Sequence, residues 1–278
     1  MKIQFLGTGA AEGVPAVFCN CENCNSIRNL GEGEYRTRSQ VVLDDCLSVD
    51  FPPEAFAHSL KFGVQLSNIK YVLATHSHMD HFYAHDFILR GYKYAELSEP
   101  VLEIYGNSEV KSVFEECTSR EMKKEVAPHV KFNEIAPYQV FNVGEYKVIT
   151  IPANHSKTED ALLFYIEREK KGYLHLYDTG RICDEAFEFL AKNGAKANAV
   201  CFDCTFIEHT GGDFARHMGI EDDMLMKQKL IDKGIIDADT KLILSHFSHN
   251  SNPTGERLKK IEKQYAVIAA YDGFEILI

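Results

Sequence analysis

The stretch "LATHSHMDH", residues 73 to 81, sets His76 and His78 two positions apart and follows them with Asp80 and His81. Neutral imidazoles and ionised carboxylates are ligands for zinc, manganese and iron. The group comes directly after the apolar run "IKYVLAT", so a strand end leading into a turn presents it. Such a turn can aim His76 and His78 one way and Asp80 and His81 another, dividing them between two adjacent ions. A second group lies in "VFCNCENCNS", where Cys19, Cys21 and Cys24 fall within six positions. Three thiolates at that spacing can clasp zinc, but a closed site needs a fourth ligand, and nothing nearby supplies one.

Other polar residues end apolar runs in the same manner: His155 in "IPANHSK", Asp178 in "LHLYDTG" and His246 in "LILSHFSHN". Taken singly, each reads equally well as a turn residue or a satisfied histidine. Joined to the first group they make five histidines and two aspartates, enough for a two-metal centre.

The elements that must position these groups are mixed. "KIQFLGT" alternates, and "SQVVLDDCLSVD" reads as two strands folded about Asp44 and Asp45. "PPEAFAHSLKFG" predicts a helix stopped by Gly63, and Val110, Val113, Phe114 and Cys117 recur at helical spacing. "YKVITIPAN", "ALLFYIER", "GYLHLYDTG", "NAVCFDCTF" and "TKLILSHFS" predict strands. "DEAFEFLAKNG", "DDMLMKQKLIDKG" and "ERLKKIEKQYA" predict helices. "VIAAYDGFEILI" predicts strand about an Asp-Gly turn. Helices do not alternate strictly with strands, which favours two sheets between outer helices over one doubly wound parallel sheet.

The chain has 278 residues, 45% hydrophobic and 26% charged, the balance of an ordinary globular protein. No linker or repeat divides it, so residues 1–278 read as one domain. No apolar run approaches the roughly 20 residues that cross a bilayer. "MKIQFLGTG" alternates where a leader would be basic and then apolar, which predicts a cytoplasmic protein with no membrane partner. Thiols there stay reduced, so the cysteine cluster favours metal over disulfides. Cys46, Cys117 and Cys183 read as small core residues, and Cys201 and Cys204 as a buried strand end. The net charge of −11 argues against a broad nucleic-acid face. A homodimer is compatible with the sequence, which fixes no oligomeric state.

The order "THSHMDH", "NHS", "YDTG", "LSHFSH" resembles the metallo-β-lactamase superfamily. The resemblance implies an α/β (α+β) fold, a four-layer αββα sandwich of two mixed β-sheets flanked by helices, with metals at one edge. Carried over by position, it puts His76, His78 and His155 on one ion and Asp80, His81 and His246 on the other. Asp178 bridges the two, and Asp50, ending "CLSVD", supports them. Within the superfamily the chain is most similar to the PhnP-like group. That group carries a glycine-rich segment, here "GTGAAEGVP", then a C-x-C-x-x-C cluster and a histidine three positions after the last metal histidine. The similarity implies a structural zinc on Cys19, Cys21, Cys24 and His249, binding the loop at about residues 18–25. "GTGAAEG" lacks the Lys-Ser/Thr of a phosphate loop, so nucleotide binding is not expected.

The function implied is metal-dependent hydrolysis of a small, cyclic phosphodiester through a hydroxide shared by two divalent ions (Zn, Mn or Fe). Asp80 and His217 take catalytic roles, with His217, in "FARHMGIEDD", assisting the departing oxygen. Alternatives are hydrolysis of a thioester, a lactone or RNA ends on the same site, or a non-catalytic accessory role like that of PqqB. The metal motif of PqqB is degraded, whereas the one here is complete. Two departures stand out: Ala84 replaces a usual glycine, and "FPP" replaces the turn after Asp50. His85, His209 and Asp203 receive no role.

Overall fold

The computed structural model describes residues 1–213 and 215–278. Its first strand, β1 (Lys2–Gly7), alternates: Ile3 and Phe5 point into the space between two sheets and Gln4 away from it. The predicted turn at Asp44 and Asp45 joins β2 (Gln40–Leu43) to β3 (Leu47–Val49), both aspartates taking left-handed backbone with φ of 47° and 58°. That pair of positive φ values matches the right-handed twist of the strands it joins. The glycines of "GTG" serve close packing: a Cβ on Gly7 would lie 1.9 Å from the Arg38 carbonyl oxygen.

Between them, α1 (Glu22–Leu30) starts inside the cysteine cluster. The expected loop at 18–25 is therefore half helix, because Cys21 occupies the cap position and receives the Cys24 amide. The helix α2 (Ala55–Phe62) ends at Gly63 as predicted, with φ of 71° there. β4 (Tyr71–Leu73) is short but covered on both faces, Val72 facing helices and Leu73 facing the opposite sheet. β5 (Leu102–Gly106), α3 (Ser108–Thr118) and β6 (Val130–Glu134) complete the first half. β5 and β6 are each only five residues long, and the sequence does not predict either.

The second half runs β7 (Val140–Val143), β8 (Tyr146–Pro152), β9 (Leu162–Arg168), β10 (Lys171–Leu176), α4 (Asp184–Lys192) and β11 (Ala199–Asp203). It continues with α5 (Ile220–Asp232), β12 (Lys241–Ser245), α6 (Gly255–Tyr265), β13 (Ile268–Ala269) and β14 (Phe274–Leu277). One seven-stranded sheet has the order β14-β1-β2-β3-β4-β5-β6, the other β13-β12-β11-β10-β9-β8-β7. Both mix parallel and antiparallel pairs. Three apolar clusters fill the gaps between layers: one between the sheets, one under α4, α5 and α6, one under α2 and α3. The expected four-layer αββα sandwich is the one observed.

The final segment corrects the reading. β13 and β14 do not pair with each other; β13 lies parallel to β12 in one sheet and β14 antiparallel to β1 in the other. Asp272 explains the crossing, because its carboxylate takes the amides and hydroxyls of Thr8 and Thr37 instead of closing a hairpin. Cys183 is a second correction: it is exposed at the start of α4, not in the core, its Sγ 3.5 Å from the Tyr138 hydroxyl. Cys201 and Cys204 are buried as expected. Among the described residues, no helix is long and apolar enough to cross a membrane.

β3, β4 and β5 run parallel in one sheet, and β10, β11 and β12 run parallel in the other. β8 points the same way as β10, since both are antiparallel to β9. Loops leaving the carboxyl ends of these strands therefore gather at one edge of the sandwich, where open sheets present ligand sites.

Candidate metal centre

The edge brings all seven predicted ligands together. Donor atoms of His76, His78, His155 and Asp178 lie within 4.8 Å of one another, as do those of Asp80, His81, Asp178 and His246. Asp178 belongs to both groups. Its Oδ2 stands 3.2 Å from His76 Nε2 and 3.0 Å from His81 Nε2, and its Oδ1 lies 3.1 Å from His155 Nδ1.

Backbone strain aims these side chains. Asp50, Asp178 and His246 each follow a strand end and each has positive φ: 63°, 54° and 62°. A left-handed residue costs on the order of 1–2 kcal/mol outside glycine, and such residues concentrate at functional sites. The left-handed residue breaks the strand's direction and turns the side chain into the edge.

Asp50 is fully buried and touches no cleft. It accepts the Thr75 amide at 2.8 Å and lies 2.6 Å from His81 Nδ1. That contact leaves His81 Nε2 facing Asp80 Oδ2 at 3.1 Å and Asp178 Oδ2. A carboxylate behind a metal-facing imidazole selects its tautomer and strengthens it as a ligand. Asp50 thus lies directly behind His81.

Within the seven-donor set, four buried atoms make no hydrogen bond with the described residues: His81 Nε2, His155 Nδ1, His246 Nε2 and Asp178 Oδ1. Orphaned polar atoms of this kind cost about 1–3 kcal/mol each. Here they converge, and a divalent cation satisfies such a mixture of imidazole and carboxylate donors. The donor set fits metal ions.

Electrostatics point the same way. Burial would raise the Asp178 carboxyl, but His246, His76 and His81 hold it well below the usual carboxylate range. Burial likewise opposes ionisation of Asp80, and His81 overrides it. Burial lowers His155 to about 4, which keeps it in the neutral, ligating form.

His217 joins the edge just before α5. Its Nδ1 lies 3.2 Å from Asp203 Oδ2 and 3.3 Å from Asp178 Oδ1, and its ring stacks on His246 at 5.6 Å. Burial works against its cationic form, yet Asp203 and Asp178 raise it to about 9. Asp203 is fully buried at the end of β11 and also accepts the amides of Thr205 and Met218, both at 3.0 Å. The sequence reading gave Asp203 no role; its place after "AVCF" is the same signal that found Asp178 and His246. Thr205 and Glu159 were missed outright. Thr205 Oγ1 lies 2.9 Å from His246 Nδ1. Glu159 receives the amide and hydroxyl of Ser77, between His76 and His78. His85 and His209 are exposed and belong to none of these clusters.

The sulfurs of Cys19, Cys21 and Cys24 and a ring nitrogen of His249 also lie within 4.8 Å of one another. His249 Nδ1 is 3.3 Å from Cys24 Sγ and 3.7 Å from Cys21 Sγ. The Cys24 amide and His249 lower the Cys21 thiol to about 6, favouring thiolate. Three thiolates and an imidazole fit a closed zinc site.

A cleft of about 390 Å³ opens on the seven-donor edge, with Glu12, Phe206, Ser248 and Asn250 among its walls. Among the described residues it has no Lys or Arg lining. A larger hollow, about 760 Å³, lies between the end of β8 and α5 and contains none of the seven donors.

A two-sheet sandwich with such an edge defines a metal-dependent hydrolase of the αββα class. Residues 42–246 match the model of the beta-lactamase superfamily domain, and the chain belongs to that superfamily. It is 30% identical to ribonuclease Z of Crocosphaera subtropica (strain ATCC 51142 / BH68) over 151 residues. That stretch is 53% of this chain and 42% of the relative, so the chain spans under half of that curated relative's length. Among solved structures it superposes on a diphosphatase of the PhnP family with TM-score 0.72 and 18% identity, covering 100% of this chain and 97% of the other. It superposes equally on zinc-bound PqqB from Methylobacterium extorquens, TM-score 0.72 and 18% identity, covering 100% of both chains. Human tRNase Z, short form, follows at TM-score 0.70 and 17% identity, covering 100% of this chain and 99% of that one.

Proposed function

We propose that the protein is a phosphodiesterase acting on a small phosphodiester, a cyclic phosphate by preference, with two divalent ions at the seven-donor edge. His76, His78 and His155 would hold one ion, Asp80, His81 and His246 the other, and Asp178 both. A zinc ion would sit on Cys19, Cys21, Cys24 and His249. Bound ions of this kind supply Lewis acidity toward phosphoryl oxygens and activate water at neutral pH.

The chain's own residues contribute the rest. Asp80 remains ionised at the cleft wall and can take a proton from water there. His217 turns Nδ1 inward to Asp203, so its other nitrogen serves the cleft that the ring lines. Protonated near neutrality, it can donate to the departing oxygen as that oxygen gains charge. This pairing of a proton-bearing histidine with the seven-donor edge carries the reading. A thioester releases a thiolate, a better leaving group than an alkoxide, and has less need of such a donor.

The likeness to ribonuclease Z supports a second reading, an RNA substrate. The small cleft without basic side chains supports the small diester instead. The complete donor set supports an enzyme over an accessory protein.

The test is a metal-reconstituted panel: bis-p-nitrophenyl phosphate, a ribose cyclic phosphate, an RNA oligonucleotide, a thioester and a lactone. Turnover of the small diesters is expected. Turnover confined to the thioester or lactone would remove the phosphodiesterase reading.

A further inference from the structure

We infer that Glu12 is a specificity-determining residue, a fixed negative charge in the cleft wall that favours singly charged diesters over doubly charged monoesters. The inference deepens the phosphodiesterase reading and rests on it.

Glu12 sits on the segment whose glycines press against residues 36–38. Besides Gly7, a Cβ on Gly9 would stand 2.9 Å from the Arg36 carbonyl oxygen. This close approach carries Glu12 to the cleft, where it shares the wall with His78, His217 and His246. Two neighbours hold the carboxylate. The Ser248 hydroxyl donates to Oε1 at 2.6 Å, and His249 Nε2 lies 3.7 Å from the same oxygen. His249 is itself anchored through Nδ1 against Cys24 Sγ. The cysteine cluster therefore positions a wall of the cleft as well as its own loop.

The side chain is 32% exposed and, among the described residues, pairs with no Lys or Arg. No Lys or Arg lines the cleft among the described residues. An incoming group thus meets a carboxylate that no Lys or Arg among the described residues compensates, His217 being the cationic side chain that shares the wall with it. A phosphodiester brings one negative charge, whereas a phosphomonoester near neutrality brings close to two. The additional charge a few ångströms from the partly exposed Glu12 is worth roughly tenfold in affinity where the dielectric is close to that of water. Hydrolysis turns the first kind of anion into the second: water adds to phosphorus, the P–O bond breaks, the leaving oxygen takes a proton, and the monoester then loses one. Glu12 accordingly weakens the hold on product as well as on competing monoesters.

The experiment compares wild type, Glu12→Gln and Glu12→Asp, each metal-loaded, on bis-p-nitrophenyl phosphate and p-nitrophenyl phosphate. Calorimetry on the same proteins compares inorganic phosphate with dimethyl phosphate. Glu12→Gln is expected to raise the monoester-to-diester ratio of kcat/KM about tenfold and to tighten inorganic phosphate relative to dimethyl phosphate by about the same factor. Glu12→Asp should keep the wild-type order. A folded Glu12→Gln with both ratios unchanged overturns the inference. Should that variant fail to fold, Ser248→Ala, which frees the carboxylate, must weaken the preference; an undiminished preference overturns the inference equally. If wild type hydrolyses no phosphodiester, the proposed function fails, while the two phosphate affinities still decide the role of Glu12.

Discussion

Ser77 stands between two histidines of the seven-donor edge and gives both its amide and its hydroxyl to Glu159, at 3.0 and 2.7 Å. Asn107, at the end of β5, adds its side-chain amide to the same carboxylate at 2.9 Å. Glu159 lies four residues beyond His155, so one carboxylate ties together the loops of His76, His78 and His155.

Replacing Glu159 by Ala should therefore loosen three ligands without removing any. Carboxylates behind metal ligands are worth about ten- to a hundredfold in metal affinity. Dialysis against graded chelator, followed by metal analysis, should show one ion lost earlier from Glu159→Ala than from wild type. Glu159→Gln, which still accepts the Ser77 hydroxyl, should recover part of the retention. Identical retention in wild type and Glu159→Ala would rule this role out.

Asp178 offers a sharper contrast with His246. Asp178 touches both donor groups, whereas His246 belongs to the one with Asp80 and His81. On the proposed function, Asp178→Asn should lower occupancy of both proposed ions, with diester turnover down by about a hundredfold. His246→Ala should cost one ion. Equal metal content in the two variants would contradict a bridging Asp178.

For the cysteine cluster, Cys24→Ser should remove one chelatable zinc and leave the other ions in place. Structural zinc in small zinc-binding peptides is worth about 10–16 kcal/mol, which here is confined to one segment. Amide exchange should accelerate over residues 14–30 and in the 249–251 turn, with little change in the parallel strands. Protection unchanged in those two segments would show that no ion holds them.

Acid stability should depend on His58, which is not one of the seven donors. Burial lowers this imidazole to about 4. Its Nδ1–H donates to Gln40 Oε1, and Nε2 faces Thr37 Oγ1, both at 2.7 Å. Between about pH 6.5 and 4 the unfolded chain binds a proton there that the folded chain refuses, so stability falls as pH drops through this window. The contribution is about 3 kcal/mol at most and is complete above pH 6.5. Urea titrations at several pH values should show a shallower acid limb for His58→Gln than for wild type.

Much of this centre was legible from residue types and strand ends. His76, His78, Asp80 and His81 announce a metal site within six positions, and His155, Asp178 and His246 each close an apolar run. Asp203 followed the same pattern and lacked only a partner to give it meaning; the partner is His217, 14 residues further on. Glu159 and Thr205 were invisible because a carboxylate or hydroxyl in a polar loop resembles any surface residue until its acceptors and donors are known. The Asp272 crossing failed for a related reason. An Asp-Gly pair specifies a turn but not which strands the turn will serve, and here Thr8 and Thr37 decide that.

By itself the order of residues determined the candidate donors, the layers and the alternation that buries one face of each strand, since those depend on local periodicity and side-chain chemistry. Only the tertiary structure decided which carboxylate belongs to both donor groups, which imidazole nitrogen faces inward, and that a glutamate from the first strand's loop reaches the cleft. Such choices hang on contacts between segments tens to hundreds of residues apart, and on left-handed strand ends whose direction no local pattern encodes.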